Sequence, residues 1–311
     1  MAVVTALIPV FLVIALGVVL KHALLTERTA WDAIEHLVYY VLFPALLLVT
    51  TATSDLARVP AAGVGGALAS AIVTLSLALL MFKPLLTRAL KLSGPAFTSI
   101  FQGAVRWNTY VALAIAGGLH GILGLALASV AIVAMVPLLN FLCVLVLAWY
   151  AADRSPDARV VAGQILRNPL IWSVLAGLAL NLSGLPLPKV AVNFAEILGR
   201  AALALGLLAV GAGLDLDKLW RPHAAVIVTT ILKLFAMPTI AIGLGYALGL
   251  SGAALSVVAI ASSVPSAPGA YVIARQMGGD APLLAHILTF ETVVALATIP
   301  LALAAAAWLA P

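Results

Sequence analysis

Two long apolar stretches of this chain are interrupted in the same way at matching places, and that pairing limits what it can fold into. One runs from Ser93-Gly94-Pro95 to Gly121, the other from Ser251-Gly252-Ala253 to Gly279, and their Ser-Gly starts are offset by 158 residues. Each is apolar for about a dozen residues and then breaks. The first break is Arg106-Trp107-Asn108-Thr109; the second is Ser262-Ser263-Val264-Pro265-Ser266-Ala267-Pro268-Gly269. Each stretch then resumes and closes on a glycine pair, Gly117-Gly118 and Gly278-Gly279. On the same offset, Asn108 falls on Ser266.

The surroundings are those of a membrane protein. Of 311 residues, 64% are hydrophobic and 9% charged, with a mean hydropathy of +1.21. Soluble domains carry about 25% charged residues. A net charge of +5 gives no argument for nucleic acid, and the lone Cys143 excludes an internal disulfide or a cysteine metal cluster. Residues 2–20 are apolar with no basic region ahead of them, as in a spanning helix rather than an export signal.

Crossing ~30 Å of hydrocarbon takes about 20 apolar residues. The sequence predicts ten such spans: 3–21, 33–52, 61–82, 94–118, 122–150, 165–184, 190–212, 223–248, 252–275 and 282–308. With the N-terminus outside, eleven basic residues face the cytoplasm: Lys21, Arg28, Lys83, Arg88, Lys91, Arg154, Arg159, Arg167, Lys218, Arg221 and Arg275. Only Arg58 and Lys189 are then outside, so the positive-inside rule places both termini outside. Five spans per half is an odd number, so the second half enters the membrane in the opposite sense. The expected organisation is a first five-helix repeat (1–150), a cytoplasmic linker (151–163) and an inverted second repeat (164–311).

A helix broken inside hydrocarbon leaves backbone groups that protein or water must satisfy, so such breaks survive where they line a cavity. Each break lies 14 residues past Gly94 or Gly252, about 21 Å along a helix and near the membrane centre. In inverted repeats the two broken helices cross there, and the N-termini of both resumed halves point at one place. Their free N–H groups and positive dipole ends suit an anion such as a carboxylate. Paired interrupted helices of this kind mark the binding site of a secondary transporter. Candidate ligand residues are Gln102, Arg106, Asn108, Thr109, Ser263, Pro265, Ser266 and Pro268. The competing reading is a pair of proline kinks whose hydroxyls bond their own helices.

Ionisable residues inside spans are functional candidates. Arg106 adds positive charge to the anion site, or else pairs with a carboxylate. Lys233 stands in for a bound cation or titrates during transport; alternatively it is the structural partner of a glutamate. Glu291, with His286 five residues before it, is a proton carrier or a fixed partner for Lys233 or Arg106. Lys233 and Glu291 are taken as the coupling pair. Glu196 and Arg200, four apart in the seventh span, read as a structural ion pair. The five histidines are scattered near span ends, no catalytic constellation is visible, and no metal, cofactor or enzyme activity is expected.

These residues together resemble the auxin efflux carrier family, relatives of plant auxin exporters and of malonate and malate permeases. The resemblance covers essentially the whole chain. It rests on Arg106-Trp107-Asn108-Thr109-Tyr110, Arg167-Asn168-Pro169-Leu170-Ile171, Gly211-Ala212-Gly213-Leu214, Lys233 with Pro238, and the Pro265/Pro268 break. It implies an all-α fold similar to bile acid–sodium symporters. Spans 1, 2, 6 and 7 would form a scaffold dimerising through spans 2 and 7; spans 3–5 and 8–10 would move as an elevator. It also implies a small organic anion as substrate, auxin-like or a dicarboxylate, with a proton or sodium ion as candidate coupling partner, in a bacterial inner membrane. Two departures stand out. Plant members have a proline at the fourth-span break, where Asn108 must serve here, and a buried acid in the third span, which 61–82 lacks. The alternatives are a sodium- or proton-coupled carrier of a bulkier anion, and a receptor that binds without transport.

Overall fold

The computed structural model describes residues 2–55, 59–151, 166–220 and 222–310. The expected linker beyond Ala151, with Arg154 and Arg159, and the topogenic residues Arg58 and Arg221 lie outside the described residues. Among the described residues there is no strand. The α-helices are α1 (Ala2–Ala23), α2 (Arg28–Thr53), α3 (Ala61–Met81), α4 (Lys83–Leu90), α5 (Gly94–Val105) and α6 (Thr109–Tyr150). They continue with α7 (Pro169–Ser183), α8 (Lys189–Ala212), α9 (Ala224–Ala247), α10 (Gly252–Ser263), α11 (Gly269–Gln276) and α12 (Ala281–Leu309).

Among the described residues, six helical units are long and apolar enough to cross a membrane: α2, α3, the Gly94–Tyr150 unit of α5 and α6, α8, α9 and α12. Three shorter apolar helices accompany them, Leu7–Ala23, α7 and α10. The chain is therefore an all-α, multi-pass membrane protein. The difference from ten predicted spans has local causes. The 57-residue Gly94–Tyr150 unit holds two of them. It is interrupted after Val105 and folds back at Gly121, whose φ of 57° is left-handed. The reversal is tight. A side chain on Gly124 would strike the backbone of Ala116, and one on Gly117 would press on Leu125. In a straight helix those pairs would stand about 12 Å apart. The predicted ninth span is likewise two pieces, α10 and α11.

Two long helices carry a π-helical turn just ahead of a proline. Val38–Leu42 precedes Pro44 in α2, and Leu232–Ala236 precedes Pro238 in α9. Proline has no N–H and crowds the carbonyl four residues back, and a π-bulge accommodates both effects without breaking the helix. The second bulge contains Lys233.

Packing groups the helices into two neighbourhoods, with α6 in contact with both. α1 runs along α8, and the second half of α2 lies on α7 and α8. Glycine lets the first pair touch: a side chain on Gly17 would meet the Leu208 carbonyl, and one on Gly211 that of Ile14. Elsewhere α3 packs on α6 and α9, α10 on α6, α9 and α12, and α5 on α6, α9 and α12. Side chains satisfy several helix ends. Asn168 accepts from the N–H groups of Leu170 (3.0 Å) and Ile171 (3.4 Å) to start α7. Lys21 donates to the Leu214 carbonyl just past α8 at 2.9 Å. Asn181 of α7 reaches the carbonyls of Thr51 (3.2 Å), Ala52 (2.9 Å) and Ser54 (2.8 Å) at the end of α2.

That last contact joins two helices through one amide. Asn181→Ala is expected to lower unfolding stability by about 1–3 kcal/mol, because the carbonyls lose their donor in an apolar setting. Denaturant titration in detergent micelles checks it; stability equal to wild type would show that the end of α2 is satisfied without Asn181.

Candidate functional site

At the first break α5 ends at Val105 and the chain turns extended through Arg106 (ψ 158°) and Asn108 (ψ 100°). Asn108 then caps α6: its Oδ1 accepts from the N–H groups of Tyr110 (3.1 Å) and Val111 (3.2 Å). At the second break α10 ends at Ser263, Val264 is extended (ψ 150°), and α11 begins at Gly269 after Pro268. Pro265 and Pro268 cannot donate, which prevents the helix from running through.

The two breaks meet. The Asn108 N–H donates to the Pro265 carbonyl at 2.8 Å. The Ser266 hydroxyl donates to the Gly103 carbonyl at 2.5 Å and lies 3.3 Å from the carbonyl of Arg106. At the same residue α5 passes close to two other helices, since a side chain on Gly103 would run into Thr229 of α9 and Ile287 of α12. From α12 the Glu291 carboxylate reaches into the second break, where its Oε2 accepts the Ser266 N–H at 3.0 Å. Lys233, on the bulge of α9, is the charged group nearest in effect to Glu291. Both are fully buried, at 0% exposure.

The expectation of free N–H groups at both resumed helices is corrected here. Asn108 occupies two at the first break; at the second, the N–H groups of Ala270 and Tyr271 bond the carbonyls of Ala267 and Pro268, and Glu291 takes the Ser266 N–H just ahead of the helix. The cause is the cost of leaving buried donors unpaired, which the chain meets with its own side chains and carbonyls. What stays open is side-chain polarity. Buried atoms without a hydrogen-bond partner include both amide atoms of Gln102, Nε and Nη2 of Arg106, Nδ2 of Asn108, Nζ of Lys233 and Oε1 of Glu291. Such groups are rare in folded proteins, and here they are concentrated on the residues of the first break, on Lys233 and on Glu291.

The predicted residues are not all alike. Arg106, Asn108, Pro265 and Ser266 gather at the junction with Lys233 and Glu291. Gln102 lies one helical turn before Arg106, buried in α5. Thr109 opens α6 half-buried, and Pro268 is half-buried at the start of α11. Ser263 bonds the Ile260 carbonyl of its own helix at 3.4 Å, and Ser262 does the same with Val258 and Ala259. Those hydroxyls follow the competing, structural reading. The Arg106 guanidinium sits beside the Cys143 thiol, not beside Glu291. Sequence reasoning missed Trp107, whose buried Nε1 is also unpartnered, and Thr230, one turn before Lys233 with an unpartnered hydroxyl. The three-residue spacing to Lys233 was the signal for Thr230.

Residues 158–303 match the family model described as membrane transport protein. The match spans 146 of the 311 residues, so it is the second half of the chain that is similar to that family. It is also 31% identical over 133 residues to an uncharacterized transporter of Methanothermobacter thermautotrophicus. That alignment covers 43% of this chain and 44% of the relative, so the chain matches less than half of that protein's length. Lys233, Ser266 and Glu291 fall within the family match, whereas Arg106 and Asn108 precede it.

The buried pair sets an energetic expectation. Lys233→Met leaves the Glu291 carboxylate without its compensating charge and is expected to cost about 3–5 kcal/mol; Lys233→Met with Glu291→Gln should recover most of that loss. Unfolding of the two single variants and the double variant measures the coupling. Additive losses would mean that the two groups do not compensate one another.

Proposed function

We propose that this chain is a secondary carrier of a small organic anion, auxin-like or a dicarboxylate, working by alternating access around the junction of the two breaks. The observation that carries the reading is the contact of Asn108 with Pro265 and Ser266 with Gly103, in a region whose residues Gln102, Arg106, Asn108 and Lys233 each keep a buried polar atom without a hydrogen-bond partner. Two of these residues are cations and two are amides, a set suited to a carboxylate. In this reading the chain has ten spans in two inverted five-helix repeats, related in architecture to bile acid–sodium symporters, with both termini outside a bacterial inner membrane. α1, α2, α7 and α8 form the scaffold, and the remaining helices move against it as an elevator. The separate packing of α1 with α8 and of α2 with α7 supports that division. Coupling to a proton or sodium ion is a second form of the same reading, favoured by the buried Glu291 beside Lys233.

Reconstituted protein should exchange radiolabelled indole-3-acetate or malonate across liposomes. Lys233→Ala is expected to abolish that flux, with incomplete rescue by Lys233→Arg, since a wide guanidinium does not replace a compact ammonium. Binding without flux would assign a receptor instead, and wild-type flux in the Ala variant would remove Lys233 from the machinery.

The carrier acts as a homodimer through α2 and α8 in this proposal, and the surface of α8 supports it. Asn193, Glu196 and Arg200 lie on one exposed face, beside Phe194 and Ile197. Arg200 and Glu196 are 3.9 Å apart, with side chains 83% and 50% exposed. Arg200 is eleven residues into the helix, about 16 Å from its start, where lipid does not solvate a charge. A second copy across a two-fold axis pairs each Glu196 with the other Arg200. Glu196→Lys and Arg200→Glu are each expected to give monomers alone and heterodimers when co-expressed, as native mass spectrometry would reveal. Homodimers of either single variant would contradict the arrangement.

A further inference from the structure

The anion site of the preceding reading, on which this inference rests, already contains an anion of the protein's own. Ser266 presents its backbone N–H inside the second break, and Glu291 occupies it at 3.0 Å. The other carboxylate oxygen, Oε1, has no hydrogen-bond partner although it is buried. It faces the bare backbone of Gly103, where an added methyl would lie 3.7 Å away. Lys233 compensates the charge of Glu291 from the neighbouring helix, yet its ammonium makes no hydrogen bond. The acid thus holds the place and the donor that an incoming carboxylate needs, through a contact that reuses only one of its two oxygens.

We propose that Glu291 is a tethered competitor of the substrate, so that an anion enters only as Glu291 gives up its charge to a proton. The step conserves charge. In the resident state the Lys233 ammonium and the Glu291 carboxylate sum to zero. An arriving monoanion would leave the buried site one charge negative, and an uncompensated charge there costs several kcal/mol. A proton from the aqueous phase binds a Glu291 oxygen, the Ser266 N–H transfers from Glu291 Oε2 to an oxygen of the anion, and Lys233 compensates the newcomer. The site is again neutral, and one proton has entered with one anion.

The groups around Glu291 are consistent with this role. α9 presents Lys233 and the apolar side of Thr229, α5 presents Gly103, and the second break presents Ser266. On its own helix, His286 is five residues away and faces His223 at 5.8 Å between ring centroids. Arg106 is placed beside Cys143. Lys233 is the partner that decides whether Glu291 or an anion holds the negative charge.

The test uses the full chain in lipid nanodiscs and has two arms. In the first, no anion is added and the Ser266 amide is followed by NMR in 15N-serine protein across pH. It should titrate in the wild type and be flat in Glu291→Gln. In the second, indole-3-acetate, fully ionised at pH 6–8, is titrated by calorimetry in phosphate and in Tris, whose ionisation heats differ. The wild type should take up about one proton per anion, and affinity should fall up to about tenfold per pH unit once Glu291 is ionised. Glu291→Gln should bind with no proton exchange and no pH dependence. Binding by the wild type without proton uptake, or unchanged uptake in Glu291→Gln, overturns the proposal. A Ser266 amide that ignores pH overturns the resident contact itself. If Ser266 titrates as expected but neither protein binds indole-3-acetate or malonate, the anion reading of the site fails, and competition fails with it.

Discussion

Backbone polarity in an apolar solvent is the constraint on which this structure depends. A helix interrupted in hydrocarbon exposes donors and acceptors that lipid cannot satisfy. The chain contains two such interruptions, and each is satisfied partly by its own side chains and partly by the other. The N–H of Asn108 finds the carbonyl of Pro265, and the hydroxyl of Ser266 finds that of Gly103. The meeting of α5, α6, α10 and α11 is therefore a condition for the fold as well as the place where function concentrates. Gly103 is the steric requirement for packing α5 on α9 and α12, which pass too close there for a side chain.

Charge adds a second layer. Lys233 and Glu291 are the fully buried ions at the junction, and they come from helices α9 and α12, both of which pack on α5. Replacing such a pair by apolar residues is often neutral or stabilising in proteins, so its presence is poorly explained by stability alone. A site that must admit a charge from water and release it again does need an internal counter-charge. The π-turn at Leu232–Ala236 belongs to the same account. It widens the helix where Lys233 sits, and the Lys233 Nζ makes no hydrogen bond.

Much of this was legible in the sequence, and the reasons are specific. Helix existence followed from the length of the apolar runs, and the two breaks followed from Asn108 and from Pro265 with Pro268, because proline removes donors wherever it stands. The hairpin at Gly121 was visible as a glycine-rich end of a stretch. The partners inside the junction were not legible. Nothing in the local sequence says that Glu291, 25 residues beyond Ser266, caps its N–H, or that Ser263 turns back to its own helix while Ser266 reaches across. Those choices depend on the rotation of each helix about its axis, which apolar runs lacking a polar face do not specify. The π-turns were missed for a related reason. Prolines Pro44 and Pro238 signal a local distortion but leave open whether it becomes a kink or a bulge.

The central claim is that the meeting point of the two breaks is where an anion is held. A structure determined by electron cryo-microscopy with indole-3-acetate bound tests it most directly. The account predicts the carboxylate within hydrogen-bonding distance of Asn108 Nδ2 and the Ser266 N–H, with Glu291 displaced. Density seated instead in the cleft of about 280 Å³ lined by Pro60, Leu127, Leu250 and Ser251, with the junction closed as it is here, would contradict it.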